Sequence, residues 1–200
     1  MPSKIPSFFR DRLCVAAVAL ALTLLAGAGL AQTQIERQGY FEVRSARTSV
    51  VDGVHELDAR LQLVLSTEAL DALNNGVPLT IELQIQVIRV RRFYLDAVEA
   101  ELFVDFELEY RPLSQRYIVR NLNSGEQESF ATLFSALNEL GRITDLPVVD
   151  EALLEDDVPY RIRVRAMLQT QQYPAPLRLL FFWRSEWHLQ SEWYEWMLER

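Results

Sequence analysis

Residues 98 to 110, Val98-Glu99-Ala100-Glu101-Leu102-Phe103-Val104-Asp105-Phe106-Glu107-Leu108-Glu109-Tyr110, decide the fold class. Val98, Ala100, Leu102, Val104, Phe106, Leu108 and Tyr110 alternate with Glu99, Glu101, Asp105, Glu107 and Glu109. A period of two sends successive side chains to opposite sides of an extended chain. The stretch is therefore a strand with one face for a core and one for water. An amphipathic helix would space its apolar residues three and four apart instead.

The same period recurs on both sides of this stretch. Leu57, Ala59, Leu61, Leu63 and Leu65 alternate with Asp58, Arg60 and Gln62. Val77, Leu79, Ile81, Leu83, Ile85 and Val87 form another run, whose phase slips near Ile88 and so predicts a bulge or bend. Tyr40 to Arg44 reads as a short first strand, and Val51-Asp52-Gly53 as its turn. Downstream, Arg111-Pro112-Leu113-Ser114 breaks the strand and Arg116 to Arg120 starts the next. Asn121-Leu122-Asn123-Ser124-Gly125 is a turn. Tyr160, Ile162, Val164, Ala166 and Leu168 alternate with Arg161, Arg163 and Arg165, after an acidic connection through Glu155-Asp156-Asp157.

Two segments change period. Ser66 can cap a short helix through Leu73, with Gly76 just past its end. From Ser129 to Leu140, the residues Leu133, Phe134, Ala136, Leu137 and Leu140 share one helical face, and Gly141 follows. After Pro174-Ala175-Pro176, the runs Leu177 to Trp183 and Trp187 to Trp196 close the chain. About seven strands at hairpin-like spacing with two short connecting helices predict a mainly β domain. The expected fold is an antiparallel immunoglobulin-like β-sandwich, because a parallel sheet would need a helix between most strands.

Ahead of this domain, Lys4, Arg10 and Arg12 precede the uncharged apolar run Leu13 to Leu30. Gly29-Leu30-Ala31 then places small residues where a signal peptidase cuts, with cleavage expected before Gln32. Residues 1–31 are thus either a signal peptide or a retained membrane anchor, since an apolar run of this length can just span a bilayer. Both readings leave residues 32–200 as a single mostly β domain on the far side of the membrane. It is expected to be periplasmic, or held to the inner membrane through residues 13–30 and facing the periplasm.

Cys14 is the only cysteine and lies near the start of the apolar run, whereas a lipoprotein acylation site would sit at its end. The exported part therefore has no disulfide and no thiolate metal ligand, and must hold itself by core burial. Three of the 20 basic residues and one of the 28 acidic ones fall in residues 1–31, so the remainder carries a formal charge of −10. No nucleic-acid partner is expected of such a domain.

Chemistry-bearing residues are few. The acids from Glu99 to Glu109 resemble a cation or glycosidase site at first sight. However, alternate residues on a strand stand about 6.5–7 Å apart along one wet face. Catalytic carboxylates need contrasting environments, so cross-strand pairing with Arg89, Arg91 and Arg92 is the expected role of these acids. Arg161, Arg163 and Arg165 form a matching basic ladder, either paired with an acidic neighbour strand or open to an acidic or phosphate-bearing partner. His55 and His188 are the only histidines, too few for a zinc site unless carboxylates complete it. Ser185 and Ser191 lack the Gly-x-Ser-x-Gly setting of a hydrolase, and no phosphate-cradling glycine loop occurs. No catalytic residue, metal ligand or cofactor is expected.

All four tryptophans are Trp183, Trp187, Trp193 and Trp196. Strand alternation assigns Trp187, Leu189 and Trp193 to one face and His188, Gln190, Tyr194 and Trp196 to the other. One face is core; the other is either an aromatic platform or the cover of the sandwich's end. The expected partner surface is Arg161, Arg163, Arg165, Trp193, Tyr194 and Trp196.

The ending Pro176-Leu177-Arg178, then Trp187-His188-Leu189-Gln190-Ser191-Glu192-Trp193-Tyr194-Glu195-Trp196, resembles that of a bacterial family called domain of unknown function 4390. Leu108-Glu109-Tyr110-Arg111-Pro112-Leu113-Ser114-Gln115-Arg116-Tyr117, the helix around Phe130 to Leu140, and Asp52-Gly53 also look like it, over roughly residues 40 to 198. The resemblance implies an exported or membrane-anchored protein and brings no activity or site residues with it. The expected function is that of a non-enzymatic accessory domain binding a protein partner at the bacterial cell envelope. The alternative is a periplasmic small-molecule or lipid carrier with its ligand between the sheets.

Overall fold

The computed structural model describes residues 37–169 and 189–199. Residues 1–31, the expected export segment, lie outside the described residues, as do Trp183, Ser185, Trp187 and His188. Nine strands are described: β1 (Tyr40–Val51), β2 (Val54–Val64), β3 (Leu79–Arg89), β4 (Ala97–Arg111), β5 (Arg116–Asn121), β6 (Gln127–Phe130), β7 (Arg142–Asp150), β8 (Tyr160–Gln169) and β9 (Tyr194–Met197). Two helices accompany them, α1 (Thr67–Asn74) and α2 (Leu133–Leu140). The strands make two antiparallel sheets, ordered β1-β2-β7 and β6-β5-β4-β3-β8-β9. The protein is mainly β and sandwich-like, not a closed barrel.

The apolar phase of each strand builds the space between the sheets. Phe41, Val43, Leu57, Ala59 and Leu63 come from the smaller sheet. Leu79, Ile81, Leu83, Ile85 and Val87 of β3 meet them with Ile162, Val164, Ala166 and Leu168 of β8, and all are buried. His55 shares the parity of Leu57 and Ala59 and is likewise fully buried in β2. The β1–β2 connection is a two-residue hairpin turn with Asp52 at φ 51° and Gly53 at φ 81°. Both residues in the left-handed region give the turn the twist that antiparallel strands require. Ser66 caps α1 by accepting a hydrogen bond from the Ala69 N–H at 3.2 Å. The phase slip near Ile88 is a register shift between Val87 and Ile88 against β4.

Three expectations change. The first strand runs to Val51 rather than Arg44, because a bulge between Val43 and Ser45 resets its alternation. The helix expected from Ser129 begins at Leu133 behind a Thr132 cap, and Gln127–Phe130 is an edge strand. Residues 142–150, expected to be a connection, form β7. Its pattern is broken by Pro147, by Asp145 at φ 51° and by two register shifts against β2. An edge strand tolerates all three.

α2 packs against β2, β5, β6 and β7 and so covers one open side of the sandwich. Gly141 ends it at an ordinary φ of −78°. Its lack of a side chain serves close approach, since a Cβ there would stand 2.5 Å from the Leu61 carbonyl oxygen. The Leu61 N–H donates to the Gly141 carbonyl at 2.8 Å, tying the end of α2 to β2.

Gly141→Ala is expected to destabilise the domain by about 1–3 kcal/mol through overpacking. Leu57→Ala, at a site with no exposed surface, should cost about 2–5 kcal/mol. Leu113→Ala, fully exposed in the β4–β5 turn, should stay within about 0.5 kcal/mol of the parent. Urea unfolding midpoints check all three.

Candidate functional site

The side of the six-stranded sheet that faces away from the core carries the expected arginine ladder. Alternation along β3 sends Glu82, Gln84 and Gln86 to this outer side, opposite to Ile81, Leu83 and Ile85. Register then sets Gln84 beside Arg165 and Gln86 beside Arg163 of β8, with Glu101 of β4 across from Gln86.

Gln84 and Gln86 are buried in the middle of the sheet, at 7% and 8% exposure. A buried amide must place both its donors and its acceptor. The Arg165 Nε–H donates to Gln84 Oε1 at 2.6 Å, and the Arg163 Nε–H to Gln86 Oε1 at 2.7 Å. Both glutamine amides donate in turn to Glu101 Oε1. The result is a charged relay across three strands, with arginine and carboxylate joined through neutral amides.

Trp193 completes the surface. The guanidinium carbons of Arg163 and Arg165 each lie 4.3 Å from its ring centroid, within cation–π range. Among the described residues, the terminal guanidinium nitrogens of these two arginines carry no hydrogen bond; only Nε is used. Arg161 differs, because it pairs with Asp96 at 2.6 Å and Glu195 at 3.4 Å. Beyond it lies an open depression of about 600 Å³ lined by Ile88, Tyr94, Leu95, Asp96, Val98, Arg161 and Arg163.

The six expected surface residues therefore divide. Arg163, Arg165 and Trp193 meet on the outer face, with Arg161 held in ion pairs at its end. Tyr194 and Trp196 turn to the opposite side and pack against the core, where the Trp196 indole N–H donates to Thr48 Oγ1 of β1 at 3.2 Å. The expectation of one shared alternation through Leu189 and Trp193 fails for a definite reason. Gln190 is bridged to Met167, but Tyr194 pairs with Val164, so four steps on one chain oppose three on the other. One extra residue reverses the facing of everything beyond it. Leu189 is accordingly buried in the core while Trp193 is outside. Ser191, at the slip, is buried and structural. Its hydroxyl accepts from the Ala166 N–H at 3.0 Å and donates to the Glu192 carbonyl at 2.9 Å.

The acidic strand is also paired, but of Arg89, Arg91 and Arg92 only Arg89 pairs with it among the described residues. Glu99 binds Arg89 at 3.2 Å and Glu107 binds Arg120 at 3.3 Å. Glu155 is a second partner of Arg89, and holds that guanidinium charged well above its ordinary range. Among the described residues, no group of three or more histidine, cysteine or acidic side chains is placed to hold a metal ion. No helix among them is long and apolar enough to cross a membrane.

Residues 39–197 match the model of the family described as Domain of unknown function (DUF4390), and the chain belongs to that family. No curated protein and no solved structure matches the chain.

Two carboxylates of this face should titrate in opposite senses. Hydrogen bonds from Gln86 and then Gln84 hold Glu101 below its ordinary value of 4.5, while burial raises Glu82 above the same value. A lowered folded-state pKa contributes stability above the unfolded value and loses it as pH falls. A raised one contributes at acid pH and loses it as pH rises. Glu101→Gln should therefore be most destabilising at neutral pH and approach the parent below pH 4.5. Glu82→Gln should match or exceed the parent at neutral pH. Urea midpoints across this range test both signs.

Proposed function

We propose that this family member is a non-enzymatic accessory domain, exported to the bacterial cell envelope, that binds a protein partner through the outer face of its six-stranded sheet. The observation that supports this most is Trp193 with Arg163 and Arg165 both 4.3 Å from its ring. Tryptophan and arginine dominate the energetics of protein interfaces. Here the two arginine side chains are already ordered by Gln84 and Gln86, so little of their rotamer freedom remains to be lost on association. The guanidinium ends, which carry no hydrogen bond among the described residues, suit carboxylates, which they can grip two bonds at a time. The partner segment is accordingly acidic.

A carrier would need an enclosed apolar cavity of several hundred Å³. The cleft of about 440 Å³ on the smaller sheet is open to solvent, with Arg47, Asp58 and Arg60 among its lining beside Ala46, Ala59 and Ile143, and so is not an enclosed apolar cavity. That supports the protein-binding reading over the carrier.

Trp193→Ala, and separately Arg163→Gln with Arg165→Gln, should each lower recovery of the partner from crosslinked envelope membranes by more than about tenfold. The unfolding midpoint of each variant, measured alongside, separates lost contact from lost fold. Arg161 is left intact because its ion pairs hold β9 and the β3–β4 loop. Undiminished recovery with both variants folded would sink the proposal.

A further inference from the structure

The loop between β3 and β4 reads Arg91-Arg92-Phe93-Tyr94-Leu95. Phe93, Tyr94 and Leu95 are 86%, 81% and 91% exposed, three large apolar side chains in succession at one end of the sandwich. Their backbone is held, since the Arg91 N–H donates to Asp96 Oδ1 at 3.1 Å and the Val90 N–H to the Pro159 carbonyl at 3.0 Å. Single exposed apolar residues are ordinary, but a contiguous protruding group marks a contact site.

The charges beside the loop indicate what it contacts. Asp96 is matched by Arg161, and Glu99 and Glu155 by Arg89. Arg91 and Arg92 are exposed and, among the described residues, their side chains have no ion-pair partner. These two arginines next to Phe-Tyr-Leu match the layering of a bilayer interface, where phosphates lie above the acyl chains. Aromatic side chains favour that same depth. A protruding tip also fits a deformable bilayer better than a protein surface, which would have to offer a matching pocket.

We propose that Arg91–Leu95 is a membrane-contact finger, with Phe93, Tyr94 and Leu95 entering the interface of an anionic bilayer and Arg91 and Arg92 binding its phosphates. Read as an export segment, the apolar run Leu13 to Leu30 would bring the domain to a membrane whether or not it is later removed. Asp156 and Asp157, in the connection that reaches β8, oppose a wider footprint, so the contact is confined to the loop.

The test uses the full chain with Cys14→Ser, carrying one fluorophore at Tyr94→Cys or, in a parallel sample, at Leu113→Cys. Leu113 is equally apolar and fully exposed, in the turn at the far end of the 15-residue β4, about 50 Å from the loop. Each sample is placed in vesicles of phosphatidylcholine and phosphatidylglycerol in equal parts that contain shallow spin-labelled lipid. The label at 94 should be quenched about threefold or more relative to that at 113. Arg91→Glu with Arg92→Glu, or replacement of phosphatidylglycerol by phosphatidylcholine, should reduce the difference. Equal quenching at the two positions overturns the proposal. So does shielding of the label at 94 by a co-purifying protein in vesicle-free buffer, which would make the loop a protein contact.

Discussion

Two buried amides, Gln84 and Gln86, set the constraint on which the outer face depends. They occupy the central region of β3, between β4 and β8, where little water reaches them. Leaving such groups unsatisfied costs about 1–3 kcal/mol each, so their neighbours must be hydrogen-bonding residues of the correct sense. Arginine can only donate and carboxylate can only accept. Placing Arg163 and Arg165 on one side and Glu101 on the other gives each amide one partner of each kind. The ladder is therefore an element of the fold before it is a surface, and its fixed geometry follows from that.

The alternation of β2, β3, β4 and β8 was legible in the sequence because polar and apolar residues alternate at most positions of each strand, with exceptions such as Phe103 and Met167. The Asp52-Gly53 turn and the slip at Ile88 were legible for the same local reason. β7 was not, since Asp145 and Pro147 interrupt its pattern, and an edge strand paired on one side has less need of one. The partners of the arginines were also hidden. An acidic strand was the expected neighbour of β8, but the adjacent strand is β3, more than seventy residues earlier in the chain, and such long-range adjacency leaves no local mark. His55 could have been placed, because it shares the parity of Leu57 and Ala59 in an unbroken strand.

Single-residue slips do much to shape the molecular surface. At Val87/Ile88 the slip brings Ile88 opposite Val98 on the outer side, which gives the depression beside Arg161 its apolar floor. Between Gln190 and Tyr194 a second slip turns Trp193 outward and sends Tyr194 and Trp196 to the core. Without it, Trp193 would occupy the inner phase and the arginines would lack their aromatic neighbour. The first slip lies near the end of β3, and the second falls between the Gln190 bridge and the start of β9.

The two arginine pairs differ in a way that separates the two proposed contacts. Arg163 and Arg165 are held at Nε by amides and stacked near an indole, so the direction of each guanidinium is fixed before anything binds. Fixed direction favours a partner whose carboxylates are themselves fixed, as in a folded protein. Arg91 and Arg92 stand on a loop and have no ion-pair partner among the described residues, and a lipid headgroup layer, which rearranges around a cation, needs no such direction. The depression lined by Ile88, Tyr94 and Leu95 lies between the two pairs. A finger resting on the bilayer would therefore carry the arginine ladder close to the membrane surface. A partner reaching the ladder from that position is best supplied by the exported portion of a membrane-held protein.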